Sequence, residues 1–205
     1  MRLSLLFIML FMLLSVAGCS WFSSKPPPPT PLEAAKDAAE KSRKANEELK
    51  RNYAVPAVRW TFSAKAIEIR FKADTTLNYY EGEPHTLAVA VYQLSDPSVF
   101  AGYRASREQL TEIMDARRFD NSVTTFDQFF IQPGEERVIR LDRAENTRYV
   151  GIVAGYYQSD PDQAVRLFEV PVIIAPGKQE LLSSPGALNV NIFAGRNMIQ
   201  QYGSN

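Results

Sequence analysis

A single cysteine and a single histidine in 205 residues close off most metal and nucleophile chemistry. His85 alone cannot build a multi-histidine zinc site, and no second cysteine exists for a Cys-based one. Beside Pro84 at a strand start, His85 fits a surface or capping residue. No serine lies in a Gly-x-Ser-x-Gly elbow, and Ser63 would need lysine where Ala66 stands to begin Ser-x-x-Lys. Glycine-rich phosphate and dinucleotide loops are absent. Asp160 to Asp162 lacks the Gly and Glu spacing of a calcium loop and fits a hairpin turn. Neither sign of charge dominates: 23 Lys and Arg stand against 23 Asp and Glu. That balance supplies no basic face for nucleic acid. Nothing marks out a carboxylate pair for acid–base work. The expectation is a protein with no catalytic residue, no metal and no cofactor.

Long apolar runs are also scarce. Leu3 to Val16 is nearly unbroken, but it falls short of the ~20 residues that span a bilayer. Arg2 precedes it, and Ala17, Gly18 and the lone cysteine follow. This is the layout of a secretory signal peptide. Val16-Ala17-Gly18-Cys19 resembles the lipobox of bacterial lipoproteins, which implies cleavage before Cys19 and acyl chains on its sulfur and nitrogen. Each buried methylene contributes ~0.8 kcal/mol, so two or three chains hold a soluble domain on a membrane. Ser20 rather than Asp follows the cysteine, and on that ground the resemblance favours the outer membrane. An ordinary secreted protein with an incidental cysteine, and an uncleaved anchor, are the alternatives. With Cys19 acylated no thiol remains, and the folded domain relies on burial without a disulfide.

The division is then residues 1–18 as signal peptide, 19–57 as tether and 58–205 as folded domain. Pro26 to Pro29 favour a polyproline II spacer of ~3.1 Å per residue. Trp21 and Phe22 suit a lipid interface. Residues 31–51 are predicted helical. Thr30 and Glu33 have capping-box spacing with Pro31 at the first helical position. Opposite charges recur four apart at Asp37/Lys41, Glu40/Lys44 and Glu47/Arg51. The apolar stripe is thin and partly polar, which favours a solvated spacer over self-association or docking.

From Val58 onward the pattern is β-rich. Ala66 to Phe71 alternates apolar and charged, and Leu87, Val89 and Val91 are in phase in Thr86 to Leu94. Between them lies Asp74, Thr75, Thr76, Leu77, Asn78, Tyr79, Tyr80, Glu81, Gly82, Glu83 and Pro84, too long for a tight hairpin. Its Leu77, Tyr79 and Tyr80 are expected to be exposed, as interface aromatics on a rigid scaffold are. The alternative is that they fold back on their own sheet. Residues 95–119 interrupt the strands, with a helix predicted over about 106–118 and a shorter one near Pro97 to Tyr103. Further strands are predicted at Thr125 to Gln132, at Arg137 to Leu141 returning from a Pro133-Gly134 turn, at Tyr149 to Tyr157 in a central place, and at Arg166 to Ile174 with Pro171 at an edge or bulge. Ala175 to Pro185 is predicted as a polar loop, and Leu188 to Ile192 as the last strand. Seven or eight short strands without βαβ alternation argue for an all-β, antiparallel β-sandwich with a helical insertion.

One family brings these pieces together. Ile67-Glu68-Ile69 leads to Asp74 and Leu77-Asn78; Val89-Ala90-Val91-Tyr92-Gln93-Leu94 follows, then Phe100 before a helix. Ile131-Gln132-Pro133-Gly134-Glu135 comes next, then Tyr149-Val150-Gly151-Ile152-Val153-Ala154 and Tyr156. In this order behind a lipobox, over roughly residues 66–174 and onward to 194, the chain resembles the outer-membrane lipoprotein of the type VI secretion system, the TssJ (SciN) family. The resemblance implies a transthyretin-like sandwich and a non-catalytic, palmitate-bearing lipoprotein that faces the periplasm. It implies anchoring of the secretion membrane complex by binding the periplasmic C-terminal region of the inner-membrane protein TssM. The loop Asp74 to Pro84 is the contact so implied. Two features depart from the family: the 31–51 helix is longer, and Tyr79 and Tyr80 match no family motif. A lipid-anchored binder of a small ligand or glycan is the alternative function.

Overall fold

The computed structural model describes residues 40–45, 47–48, 57–104, 106–115, 117–177 and 181–203. Cys19, the expected signal peptide and the proline-rich linker lie outside the described residues. Of the 31–51 segment, residues 40–45 and 47–48 are described; they are helical and exposed. Glu40 and Lys44 form the expected ion pair one turn apart, at 2.7 Å.

The domain is built on β1 (Ser63–Ala73), whose alternation places Ile67, Ile69, Phe71 and Ala73 inward. Glu68 points outward between Arg70 and Arg140, bridging both at 2.6 and 2.8 Å. After the 74–84 loop come β2 (Leu87–Leu94), α1 (Ser98–Gly102), α2 (Arg107–Met114), β3 (Val123–Ile131), β4 (Glu136–Arg143) and β5 (Tyr149–Ala154). The chain continues through α3 (Pro161–Ala164), β6 (Val165–Glu169), β7 (Val172–Pro176), β8 (Leu181–Pro185), β9 (Leu188–Ala194) and β10 (Ile199–Gln201).

Two four-stranded sheets face each other, in the orders β10-β9-β1-β4 and β3-β2-β5-β6. Their inner faces enclose one core, with Ile67, Ile69 and Phe71 opposite Leu87, Val89, Val91, Val150 and Ile152. β2 is apolar on both faces. Its other face (Ala90, Tyr92, Leu94) packs with Phe100, Leu110 and Ile113 of α1 and α2. The helical insertion is therefore a third layer over the second sheet. Ser106 caps α2 by accepting from the Gln109 backbone N–H at 3.3 Å. That helix ends at Met114, short of the predicted 118.

Several expectations are corrected. The sandwich is antiparallel in every strand pair but one: β1 and β9 run parallel, Ile67 opposite Leu188 through Ala73 opposite Ala194. The Pro133-Gly134 turn does not return β4 onto β3. It crosses between the sheets, and β4 pairs with β1. The expected strand over 166–174 is two strands divided at Pro171, because proline cannot donate to a ladder. The expected 175–185 loop contains β8, which pairs with β7 in a separate two-stranded ribbon. The last strand is followed by another, β10. Asp160 to Asp162 opens the short helix α3 within the β5–β6 connection instead of forming a simple turn.

Buried polar groups tie these layers at the end where β1 begins. The Gln93 amide donates to the Asp142 carbonyl and accepts from the Ala144 N–H and the Thr147 hydroxyl, at 2.8–3.0 Å. Arg143, 3% exposed, donates to the carbonyls of Gly186 and Thr61. The chain thus enters the domain beside Thr61 at one end of β1, and the 74–84 loop leaves from the other. Eleven residues of strand separate these ends by about 35 Å.

Candidate partner-binding surface

The 74–84 loop is a fixed structure. Asp74 opens it with an Asx turn: its carboxylate accepts the Thr76 N–H at 2.7 Å and the Thr76 hydroxyl at 2.8 Å. Those two bonds, the backbone one foremost, hold the Asp74 carboxyl below the usual carboxylate range. The Asp74 backbone binds outward in both directions, its N–H to Ala194 and its carbonyl to the Gly134 N–H. Thr75 stays exposed.

Leu77 is not exposed as expected. It is fully buried and belongs to the core between the sheets, where it closes the end of the sandwich. Asn78 is buried as well and links three segments. Its side-chain oxygen accepts the Tyr157 N–H at 2.9 Å, its amide donates to the Thr86 carbonyl at 3.0 Å, and its backbone N–H reaches Gly195. Its φ of 48° lies in the left-handed region that asparagine tolerates better than most residues.

The two tyrosines are half-buried. Tyr79 lies under the Arg196 guanidinium, 3.8 Å from its ring centroid, and its N–H bonds the Arg196 carbonyl. Tyr80 stacks on Tyr157 at 5.0 Å with 22° between the rings, and His85 meets Tyr157 edge-on at 5.1 Å. The His85 ring also reaches the Tyr80 carbonyl at 3.2 Å.

The tip is a tight turn within the long loop. Tyr80 and Glu83 exchange both backbone hydrogen bonds, at 2.9 and 3.0 Å. Glu81 (φ 48°) and Gly82 (φ 91°) supply the two left-handed central residues of a type I′ turn. Glu81, Gly82, Glu83 and Pro84 are exposed. The accessible part of the loop is thus Thr75, the 81–84 tip and one side of the two tyrosines. Of Leu77, Tyr79 and Tyr80, the alternative of folding back holds fully for Leu77, while the two tyrosines are half-buried.

Two residues of this surface lie outside the sequence-derived set. The strand expected over Tyr149 to Tyr157 includes Tyr157, but β5 ends at Ala154, which leaves Tyr157 in a loop and 53% exposed. Arg196 sits in the β9–β10 turn, which the prediction lacked. The only sequence signal for Tyr157 is an aromatic just beyond a fully apolar run.

A concavity of about 640 Å³ opens between the edges of β3 and β4 near Phe62, Gln93 and Asp127. The Gln93 side chain there is already engaged within the domain. Burial pushes the Asp127 carboxyl up, and among the described residues it has no ion-pair partner. Among the described residues no three His, Cys, Asp or Glu side chains are placed to hold a metal ion.

The sequence pattern of the type VI secretion lipoproteins, a family described with VasD, EvfM and TssJ, matches residues 65–183. The chain belongs to that family. No curated protein matches the chain as a relative. Among solved structures it is similar to Lip of Serratia marcescens, a membrane-bound component of the type VI secretion system, with TM-score 0.53 and 23% identity over 68% of this chain and 98% of that one. It is similar to the lipoprotein TssJ1 of Pseudomonas aeruginosa, with TM-score 0.51 and 24% identity over 71% and 97%. A chain of the structure described as the TssM C-terminal domain from EAEC also matches, with TM-score 0.51 and 16% identity over 67% and 98%. These likenesses establish the sandwich as the fold of type VI secretion lipoproteins.

Proposed function

We propose that this type VI secretion lipoprotein is a non-catalytic anchor, held in the outer membrane by acyl chains on Cys19 and facing the periplasm. It binds the periplasmic C-terminal region of TssM through the Asp74–Pro84 loop. The observation that carries the reading is the loop itself. It is pinned at Asp74, Leu77 and Asn78, yet it presents an exposed turn at 81–84, so little ordering entropy is lost on binding. The loop also lies at the end of β1 opposite the one beside Thr61, which leaves it clear of the N-terminal entry of the domain and suits a partner approaching from that side. The chain similar to this one in the structure described as TssM lends support. A glycan or small-ligand reading is less well served, since the Gln93 amide in the β3–β4 concavity is bonded within the domain.

The test leaves the buried part of the loop alone. Inserting Gly-Ser-Gly-Ser between Gly82 and Glu83 in the full-length chain blocks the tip without removing a charge. Capture of the cognate TssM periplasmic region should fall at least tenfold, with an unchanged circular dichroism spectrum. Undiminished capture would remove the loop from the interface.

A further inference from the structure

Tyr157 is the least expected residue on this surface. A tyrosine at 53% exposure is not part of a core, yet its position is closely fixed. One ring face stacks on Tyr80, the His85 ring meets it edge-on, and its backbone N–H is held by the buried Asn78. Its carbonyl accepts from Arg107 of α2 at 2.9 Å, and that guanidinium also bonds the Ser159 carbonyl. The loop, the β5–α3 connection and the helical layer therefore converge to hold one ring at the surface. Such preorganised, partly exposed aromatics are the usual anchors of protein interfaces.

The charges around it suggest what the ring takes. Glu81 and Glu83 stand at the exposed tip without an ion pair among the described residues, whereas Glu68, Glu135 and Glu136 each have an arginine or lysine. The two local cations are committed elsewhere: Arg107 to backbone carbonyls, Arg196 to the face of Tyr79. The Arg196–Tyr79 contact shows that the same surface already seats a guanidinium on a tyrosine. Glu81 and Glu83 follow Tyr80, which stacks on Tyr157, so the same corner of the surface carries both an aromatic ring and carboxylates, two groups to which a guanidinium binds.

We propose that the partner-binding surface extends beyond the 74–84 loop onto Tyr157, and that it receives a cationic side chain of the partner, an arginine foremost, over Tyr157 beside Glu81 and Glu83. This rests on the TssM reading above and specifies the chemistry that TssM must present.

The experiment measures binding of the full-length chain to the cognate TssM periplasmic region across a salt series. Tyr157→Ala should weaken binding about tenfold, and Tyr157→Phe should stay within twofold of the parent. The pair Glu81→Gln with Glu83→Gln should weaken binding and flatten its dependence on salt, because two screened attractions are removed. A role of Tyr157 in folding alone would not change the salt slope. An unchanged slope in the Gln pair overturns the proposal, and so does binding within twofold for Tyr157→Ala. If either occurs while the Gly82 insertion still abolishes capture, the TssM reading stands and the cation site falls. If the parent chain does not bind the TssM region, both fall.

Discussion

Asp127 illustrates how one side chain sets a local pH response. It sits half-buried on β3, facing the concavity between β3 and β4, and burial raises its pKa. Arg140, which lines the same concavity, is engaged with Glu68. A carboxyl raised in the folded state favours folding below its unfolded pKa and disfavours it as pH rises through the folded value. Asp127→Asn should therefore raise the thermal midpoint at pH 7 and leave it nearly unchanged at pH 3. Melting curves at the two pH values check this; an equal shift at both would mean that packing, not charge, is responsible. Leu77 shows why residue-level reading failed in part. It stands alone among polar neighbours, so no periodicity marks it as buried, and only the closing of the sandwich end against the core does. Tyr80 was legible only in part: it keeps an accessible side, but its stacking on Tyr157 pairs it with a residue 77 positions away that no local pattern announces. Tyr157 was not, because nothing local signalled that β5 stops at Ala154.

At the level of elements, the docking of the helical layer depends on one missing side chain. Gly151 lies in the middle of β5, and a Cβ there would come within 2.3 Å of the Phe100 ring carbon Cζ. Phe100 is fully buried and packs with Tyr92 at 6.0 Å between ring centroids. Gly151→Ala should destabilise the fold by about 1–3 kcal/mol, since the ring must shift within a filled layer. Phe100→Ala should cost about 3–5 kcal/mol. In the double variant the two losses should sum to less than additivity, as each removes the cause of the other. Urea unfolding of the three variants decides it, and strict additivity would separate the two sites. The strands with strong alternation, β1 and β2, were legible with small errors at their ends. The insertion was legible from the Ser106–Gln109 cap. Sheet membership was not: the Pro133-Gly134 turn looks the same whether β4 folds back on β3 or crosses to β1. The parallel β1–β9 pair joins strands more than a hundred residues apart, and no local pattern encodes that.

For the molecule as a whole, the proposed acyl anchor at Cys19 and the folding of the domain can be tested apart. Cys19 lies outside the described residues, while the core is assembled from Ala66 onward. Cys19→Ala should leave the domain's melting curve unchanged, abolish palmitate labelling and shift the chain out of the membrane fraction. Persisting label on that variant would refute acylation at this position.

β1 has a neighbour on each side, β4 antiparallel and β9 parallel, and it is the segment through which the tether end and the loop end connect. A pull between an anchored membrane and a protein gripping the loop would run along that strand. The ladders on both flanks would then be loaded in shear, all rungs at once, rather than peeled open one by one. Separating β1 from its neighbours by such a pull would therefore require both ladders to give way together.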